Sequence, residues 1–173
     1  MDIHNPKQNA SRDKSRTLFD STAVPATSDA GAGNPVELGV KFVSDQSGSI
    51  TGIRFYKGVG NTGTHVGNLW SSTGQLLATG TFTNETASGW QQLTFSTPVA
   101  ISANTVYIAS YHTNVSHFAY DAGYFATALD RAPLHAPASG TSGGNGVYAY
   151  SASSIFPQNS YNAANYWVDV IFQ

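Results

Sequence analysis

Apolar residues recur at every second position in several short segments of the chain, which is the period of half-buried β-strands. The first segment is VELGVKFVS, whose apolar face carries Val36, Leu38, Val40 and Phe42. ITGIRFYKG and GWQQLTFSTPVAI follow the same pattern, and HVGNLWSSTGQLLATGTF predicts a hairpin that turns at Ser-Thr-Gly. VYIASYHT is apolar on both faces, which predicts a central strand. The last strand is predicted in YWVDVIF.

Helical periodicity is almost missing from the sequence, apart from one turn at FATALDRA. Short strands separated by turn residues predict an all-β fold, an antiparallel β-sandwich of jelly-roll-like form. The first and last strands of a jelly roll commonly pair, so we expect VELGVKFVS to lie beside YWVDVIF. In that arrangement Lys41 and Asp169 would form an ion pair between neighbouring strands.

The chain has 173 residues, which is about the size of one domain. Residues 1–16 are polar, show no periodicity and include half of the eight Lys and Arg residues, so we predict a disordered or flexible charged arm. Residues 17–173 are predicted to form a single β-sandwich domain. Regular alternation fades between His112 and Tyr161, and such irregular stretches inside a domain are usually functional or mobile.

The low content of charge restricts the classes of partner. Charged residues make up 10% of the sequence, against about 25% in an average globular protein, and the net charge is −2. Nucleic-acid binding needs clustered Lys and Arg, so we expect no nucleic-acid partner. There is no apolar run of bilayer length, so we expect no membrane insertion. The absence of cysteine excludes disulfides, thiolate metal sites and cysteine nucleophiles.

No combination of residues typical of a catalytic site stands out, so we predict that the protein is not an enzyme. The five histidines form no metal-ligand pair in the sequence, and no two carboxylates are placed together as a glycosidase would need. A divalent-metal site at His112, His117 and Asp121 is one alternative. A structural calcium ion is the other metal to consider, because loop carboxylates of Asp20, Asp29, Asp121 and Asp130 are hard oxygen ligands.

Aromatic residues are the most informative feature, because 12% of the sequence is Phe, Trp or Tyr and nine residues are tyrosine. Aromatic rings pack on the C–H faces of sugars, while Asn, Asp and backbone groups bind the hydroxyls. The alternative is that these rings only fill the core of a sandwich, and their solvent exposure distinguishes the two cases. The candidates are Tyr120, Asp121 and Tyr124 in FAYDAGYF, Tyr148 and Tyr150 in GVYAYS, and Tyr161, Asn162, Asn165, Tyr166 and Trp167 in NSYNAANYWV.

The stretch from VELGVKFVS to VYIASYHT, followed by HFAYDAGYF, NGVYAY and FPQNSYNAANYWVDVIF, closely resembles the domain-of-unknown-function family numbered 4082. The resemblance covers about Thr17 to Phe172. It implies a module of bacterial extracellular proteins, which occurs beside sugar-active enzymes and immunoglobulin-like repeats.

Together these observations lead us to expect a non-catalytic carbohydrate-binding or adhesion module of lectin type. The partner would be a glycan or polysaccharide. The alternative is a structural module that mediates protein–protein contacts or self-association in an extracellular fibre, sheath or surface complex. We expect a secreted or cell-surface location, although the first twenty residues carry no apolar signal segment.

Overall fold

The computed structural model describes residues 15–173 and contains eleven β-strands in that range. The strands with the clearest alternation in sequence are the longest ones: β1 (Val36–Ser44), β2 (Gly48–Lys57), β3 (Val66–Ser71), β4 (Leu76–Thr81), β5 (Gly89–Ile101), β6 (Tyr107–Thr113) and β11 (Val168–Phe172). Four shorter strands occupy the irregular stretch: β7 (Leu129–Arg131), β8 (Leu134–Ala136), β9 (Val147–Tyr150) and β10 (Asn159–Ser160). One 3-10 turn, Tyr124–Ala126, precedes β7.

The strands form two antiparallel sheets that pack face to face. The large sheet has the order β10-β9-β1-β6-β3-β4, with the β7–β8 hairpin paired to the far end of β1, and the small sheet has the order β11-β2-β5. Most successive long strands change sheet, as in a jelly roll. The predicted all-β, antiparallel, jelly-roll-like sandwich is therefore confirmed, and β6 is a central strand as predicted.

The expected pairing of the first and last strands is wrong. β11 pairs with β2, where Asp169 lies opposite Arg54. The Arg54 Nη2 atom is 2.5 Å from the Asp169 Oδ2 atom, and both side chains are buried. Lys41 belongs to the other sheet and donates through Nζ to the Ser142 carbonyl oxygen at 2.7 Å, so the Lys41–Asp169 ion pair does not form.

The core lies between the sheets and contains the alternating faces predicted from sequence. The inward residues of β1 pack against Ile53 and Phe55 of β2, and the ring of Phe55 stacks on Tyr111 of β6 with centroids 4.1 Å apart. The outer face of β11 is also buried, because Leu18 and Phe19 lie over it and their amides donate to the Asp169 carboxylate.

In the described residues, backbone pairing begins at Arg16, which exchanges two backbone hydrogen bonds with Phe172 in an antiparallel bridge. The prediction of a flexible arm concerns mostly residues 1–14, which lie outside the described residues.

Candidate functional site

A cleft opens where the large sheet extends beyond the small one. β9 pairs with β1 so that Tyr148 lies opposite Leu38 and Tyr150 opposite Val36, and paired residues share one face of the sheet. These four side chains lie on the inner face of the large sheet, at the end where β9 extends it beyond β11, β2 and β5. The two loops at residues 118–122 and 161–166 form the opposite wall of the cleft.

The two wall loops are held by backbone hydrogen bonds. Asp121 and Asn165 exchange N–H···O bonds in both directions, at 3.0 and 2.9 Å, and the Gly123 amide donates to the Asn162 carbonyl at 2.7 Å. Asn162 and its neighbour Ala163 both adopt left-handed backbone conformations, with φ of 52° and 47°. Asn tolerates this region better than other non-glycine residues, and the two residues reverse the chain at the cleft rim.

The cleft, hereafter the aromatic cleft, has a volume of about 470 Å³, which lies in the usual range of small-ligand sites. Tyr166 is buried in the floor, Tyr120 and Tyr148 are half-buried, and Tyr150 and Tyr161 are 63% and 66% exposed at the mouth. The complete lining is Ala30, Val36, Leu38, Phe118, Tyr120, Ala122, Tyr148, Tyr150, Tyr161, Asn162, Ala164 and Tyr166.

The hydroxyl groups of the five cleft tyrosines have no hydrogen-bond partner among residues 15–173. Two of the four tyrosines outside the cleft differ, since the Tyr107 hydroxyl accepts from the Ser102 amide and the Tyr111 hydroxyl accepts from Asn61. Burial, with the nearby Tyr148 and Tyr150, raises the pKa of Tyr166 to about 12. Its phenol is therefore neutral near pH 7 and can both donate and accept a hydrogen bond.

The sequence-predicted residues divide into two groups. Six of them meet in the aromatic cleft: Tyr120, Tyr148, Tyr150, Tyr161, Asn162 and Tyr166. Asp121, Tyr124, Asn165 and Trp167 lie outside its lining. The Oδ1 atom of Asp121 accepts from the Ala26 amide at 2.8 Å, and the fully buried Asn165 accepts from the Trp167 amide at 2.7 Å.

Trp167 faces away from the aromatic cleft because its backbone is left-handed, with φ of 58°. Its ring is 2% exposed and packs 5.0 Å from Phe19 and 5.9 Å from Tyr124, measured between ring centroids. Trp90 completes this buried cluster, and the Arg54 guanidinium lies 4.3 Å from its centroid. Trp167 and Tyr124 thus help to close the core beneath the N-terminal segment and are not positioned to stack on a ligand in the cleft.

Phe118 is a cleft residue that was not among the candidates. It precedes Tyr120 by two residues, and in an extended segment such residues share a side. The segment is extended here, because the Tyr120 amide donates to Thr27 and the Phe118 carbonyl accepts from Ala30, both at 2.9 Å. The alternation of Phe118 and Tyr120 is the sequence signal that could have identified it.

The candidate metal ligands engage separate partners. His112 donates to the Ser151 carbonyl oxygen at 2.8 Å, His117 bonds Asp29 at 2.7 Å, and Asp121 binds the Ala26 amide. Within residues 15–173 no group of three or more His, Asp or Glu side chains is arranged to hold a metal ion. Across the same range, no helix is both long and apolar enough to cross a bilayer.

The fold and the cleft define a class of protein, an antiparallel β-sandwich with an aromatic, uncharged cleft at one end of its large sheet. The chain belongs to the family described as Domain of unknown function (DUF4082), whose model matches residues 22–168. The matched range contains both walls of the cleft. A search of curated proteins found no match.

Proposed function

We propose that the protein is a non-catalytic carbohydrate-binding module, of lectin or adhesion type, and that the aromatic cleft is its binding site. The observation that carries this proposal is the set of five tyrosine hydroxyls around one cavity, none of which has a hydrogen-bond partner among residues 15–173. Polar groups that surround a cavity and lack partners are available to a ligand, and phenol hydroxyls match sugar hydroxyls because both donate and accept.

The chemistry of the walls supports recognition by stacking as well. Tyr148, Tyr161 and Phe118 offer apolar ring surface for the C–H faces of sugar rings, while the Asn162 amide at the rim can bond hydroxyls. Within the part of the chain that the structure describes, no carboxylate or histidine lines the cleft, so those residues supply no acid–base pair for a glycosidase mechanism there. A single cleft of this size should bind with roughly micromolar to millimolar affinity, and tight attachment would need several copies.

A glycan array followed by calorimetric titration of the best ligand tests this proposal. Tyr148→Ala and Tyr161→Ala should each weaken binding by more than tenfold, because they remove ring and hydroxyl together. Leu76→Ala is the matched control, since Leu76 is 47% exposed on β4 and lies outside the cleft. Absence of saccharide binding on a broad array, or equal loss in the control, would refute the proposal.

The exposed rings at the mouth also favour a second candidate, a structural module that binds a protein partner or another copy of itself. Tyr150 and Tyr161 place two large rings in solvent beside one opening, and aromatic residues are enriched at protein interfaces. Solution mass measured over a range of concentrations distinguishes the two functions. An oligomer that forms with rising concentration, dissociates on Tyr161→Ala and ignores sugars would favour assembly. A secreted or cell-surface location stays a prediction for either function.

A further inference from the structure

Five of the six rings that line the aromatic cleft follow one another in a continuous series, and each is steeply tilted against the next. The interplanar angles are 72° for Tyr150–Tyr148, 75° for Tyr148–Tyr166, 84° for Tyr166–Phe118 and 65° for Phe118–Tyr120. The corresponding centroid distances are 5.7, 6.3, 5.6 and 6.1 Å. Rings arranged in this way cannot form a flat platform, so they act as walls and floor of a groove.

The depth of the rings supports the same geometry. Tyr166 is buried, Tyr148 is half-buried and Tyr150 is mostly exposed, so the series descends from the mouth to the floor. A ligand must therefore enter the groove to contact Tyr166. A single glycan chain can do so, whereas the flat face of a crystalline polysaccharide can reach only the rings at the mouth.

The groove is also uncharged. Among the described residues, its lining contains no Asp, Glu, Lys, Arg or His. The charged residues next to lining positions in the chain are all acidic, namely Asp29, Glu37 and Asp121. A carboxylate transferred from water into such a groove would lose hydration without gaining a cationic partner, which is unfavourable.

We infer that the aromatic cleft binds a single chain of a neutral glycan, inserted into the groove, and that it discriminates against acidic glycans and against crystalline polysaccharide surfaces. This inference rests on the proposed function and names the chemical class of its ligand. Tyr148 and Tyr166 determine the specificity, because both line the groove and their hydroxyls have no hydrogen-bond partner in the described part of the chain.

Matched oligosaccharides test the discrimination by charge. Calorimetric titration would compare mannohexaose with β-1,4-hexamannuronate, and cellohexaose with β-1,4-hexaglucuronate, beside the best neutral ligand from the array. We expect the neutral member of any pair that binds to be favoured by at least tenfold. Sedimentation with microcrystalline cellulose and chitin tests the second point, and we expect no retention above that of an unrelated protein.

The outcomes separate this inference from the proposed function. If no saccharide binds, both the proposed function and the inference about the ligand class are refuted. Binding of an acidic oligosaccharide as tightly as its neutral counterpart, or strong retention on a crystalline polysaccharide, overturns the inference and leaves carbohydrate binding intact.

Hydroxyl deletions test the role of the two inner tyrosines. Tyr148→Phe and Tyr166→Phe keep the rings, and each should weaken binding of the neutral glycan by about fivefold, which corresponds to one hydrogen bond. Tyr107→Phe is the matched control, because its hydroxyl bonds the Ser102 amide far from the groove lining. If both cleft variants bind as tightly as the wild type while the control is also unchanged, the hydroxyls do not recognise the ligand and their assigned role is wrong.

Discussion

Replacement of Glu37 by glutamine should remove a pH-dependent loss of stability from this protein. Glu37 lies on the outer face of β1 and is fully buried. Residues 151–158, hereafter the cover segment, lie over this face: Asn68 donates to Ser154 at 3.1 Å and the Trp70 ring lies 5.6 Å from that of Phe156. The Glu37 carboxyl is therefore sealed between a sheet and a loop.

The hydrogen bonds available to Glu37 are unevenly distributed. Its Oε1 atom accepts from Ser110 and Asn68, both at 2.7 Å, whereas Oε2 has no partner among the described residues. Burial raises the pKa of Glu37 from 4.5 to about 7, and interactions with Ser110, Asn68 and the backbone of Ile155 offset only part of that effect. Between those two pH values the folded protein retains a proton that the unfolded chain has lost.

The sign and size of the effect follow from this difference in protonation. Stability contributed by the protonated carboxyl is fully present below pH 4.5 and decreases as pH rises toward about 7. At about 1.4 kcal/mol per pH unit, the loss across this interval is about 3 kcal/mol. Glu37→Gln keeps the shape of the protonated form and cannot ionise, so it should be more stable than the wild type at pH 8 by up to that amount.

Urea denaturation followed by tryptophan fluorescence measures the difference, with wild type and variant compared at pH 5 and pH 8. Other ionisable groups titrate in both proteins, so they cancel when the two free energies of unfolding are subtracted. Trp70 is a local reporter, since its Nε1 atom donates to the same Ser110 hydroxyl at 2.7 Å. If the variant and the wild type differ by the same amount at both pH values, Glu37 does not ionise inside the folded protein and the reasoning fails.

Three further predictions concern other parts of the fold. Asp169→Asn leaves the buried Arg54 guanidinium without its carboxylate, so urea denaturation should show that the free energy of unfolding falls by about 3–5 kcal/mol. The control Asp45→Asn changes an exposed carboxylate and should lower the free energy of unfolding by less than about 1 kcal/mol. Gly146→Ala should distort the aromatic cleft, because a Cβ atom there would collide with the backbone of the opposite wall, and calorimetry should show weaker saccharide binding with intact β-sheet circular dichroism. The His135 ring nitrogens lie 2.8 Å from the Asp45 carboxylate and 2.7 Å from the Asp130 carboxylate. The hydrogen bond to Asp45, followed by that to Asp130, raises the pKa of His135. Its stabilising contribution is therefore fully present below pH 6.5 and is lost as pH rises through the raised pKa. An NMR titration should find the His135 pKa lower in Asp45→Asn than in the wild type, and an unchanged value would contradict this assignment.

The long strands could be predicted because apolar and polar residues alternate along them, and the apolar residues mark the face that packs in the core. Val36, Leu38, Val40 and Phe42 are all buried, as the period of two requires. The partner of β11 could not be predicted in this way. Both of its faces are buried, one by the opposite sheet and one by Leu18 and Phe19, so alternation gave no information about its neighbours.

The short strands could not be predicted from the alternation of apolar and polar residues. β9 has four residues and β10 has two, which is too few for a repeating pattern. Their positions depend on pairing with β1, a contact far away in sequence. The aromatic content of GVYAYS selected Tyr148 and Tyr150 as candidates, and the structure places both in the lining of the aromatic cleft.

Tyr166 and Trp167 are neighbours in the stretch NSYNAANYWV, and composition alone made them equal candidates for ligand contact. The left-handed backbone at Trp167 assigns Tyr166 to the aromatic cleft and Trp167 to the core. A tryptophan in that conformation carries a cost of about 1–2 kcal/mol, which only the surrounding packing can offset, and no local sequence signal announces it.

The position of the cleft is a consequence of unequal sheets. β9 and β10 extend the large sheet past the edge of the three-stranded sheet, so their inner face would be exposed to water unless something covers it. The loops that cover it leave a gap instead of a packed interface, because their inward side chains include tyrosines whose polar ends have no partner within residues 15–173. Apolar residues at the same positions would have closed the gap as ordinary core. A cavity whose walls retain unpaired hydroxyls is stable only while water or a ligand satisfies them, and this is the physical reason for proposing a binding site at this end of the sandwich.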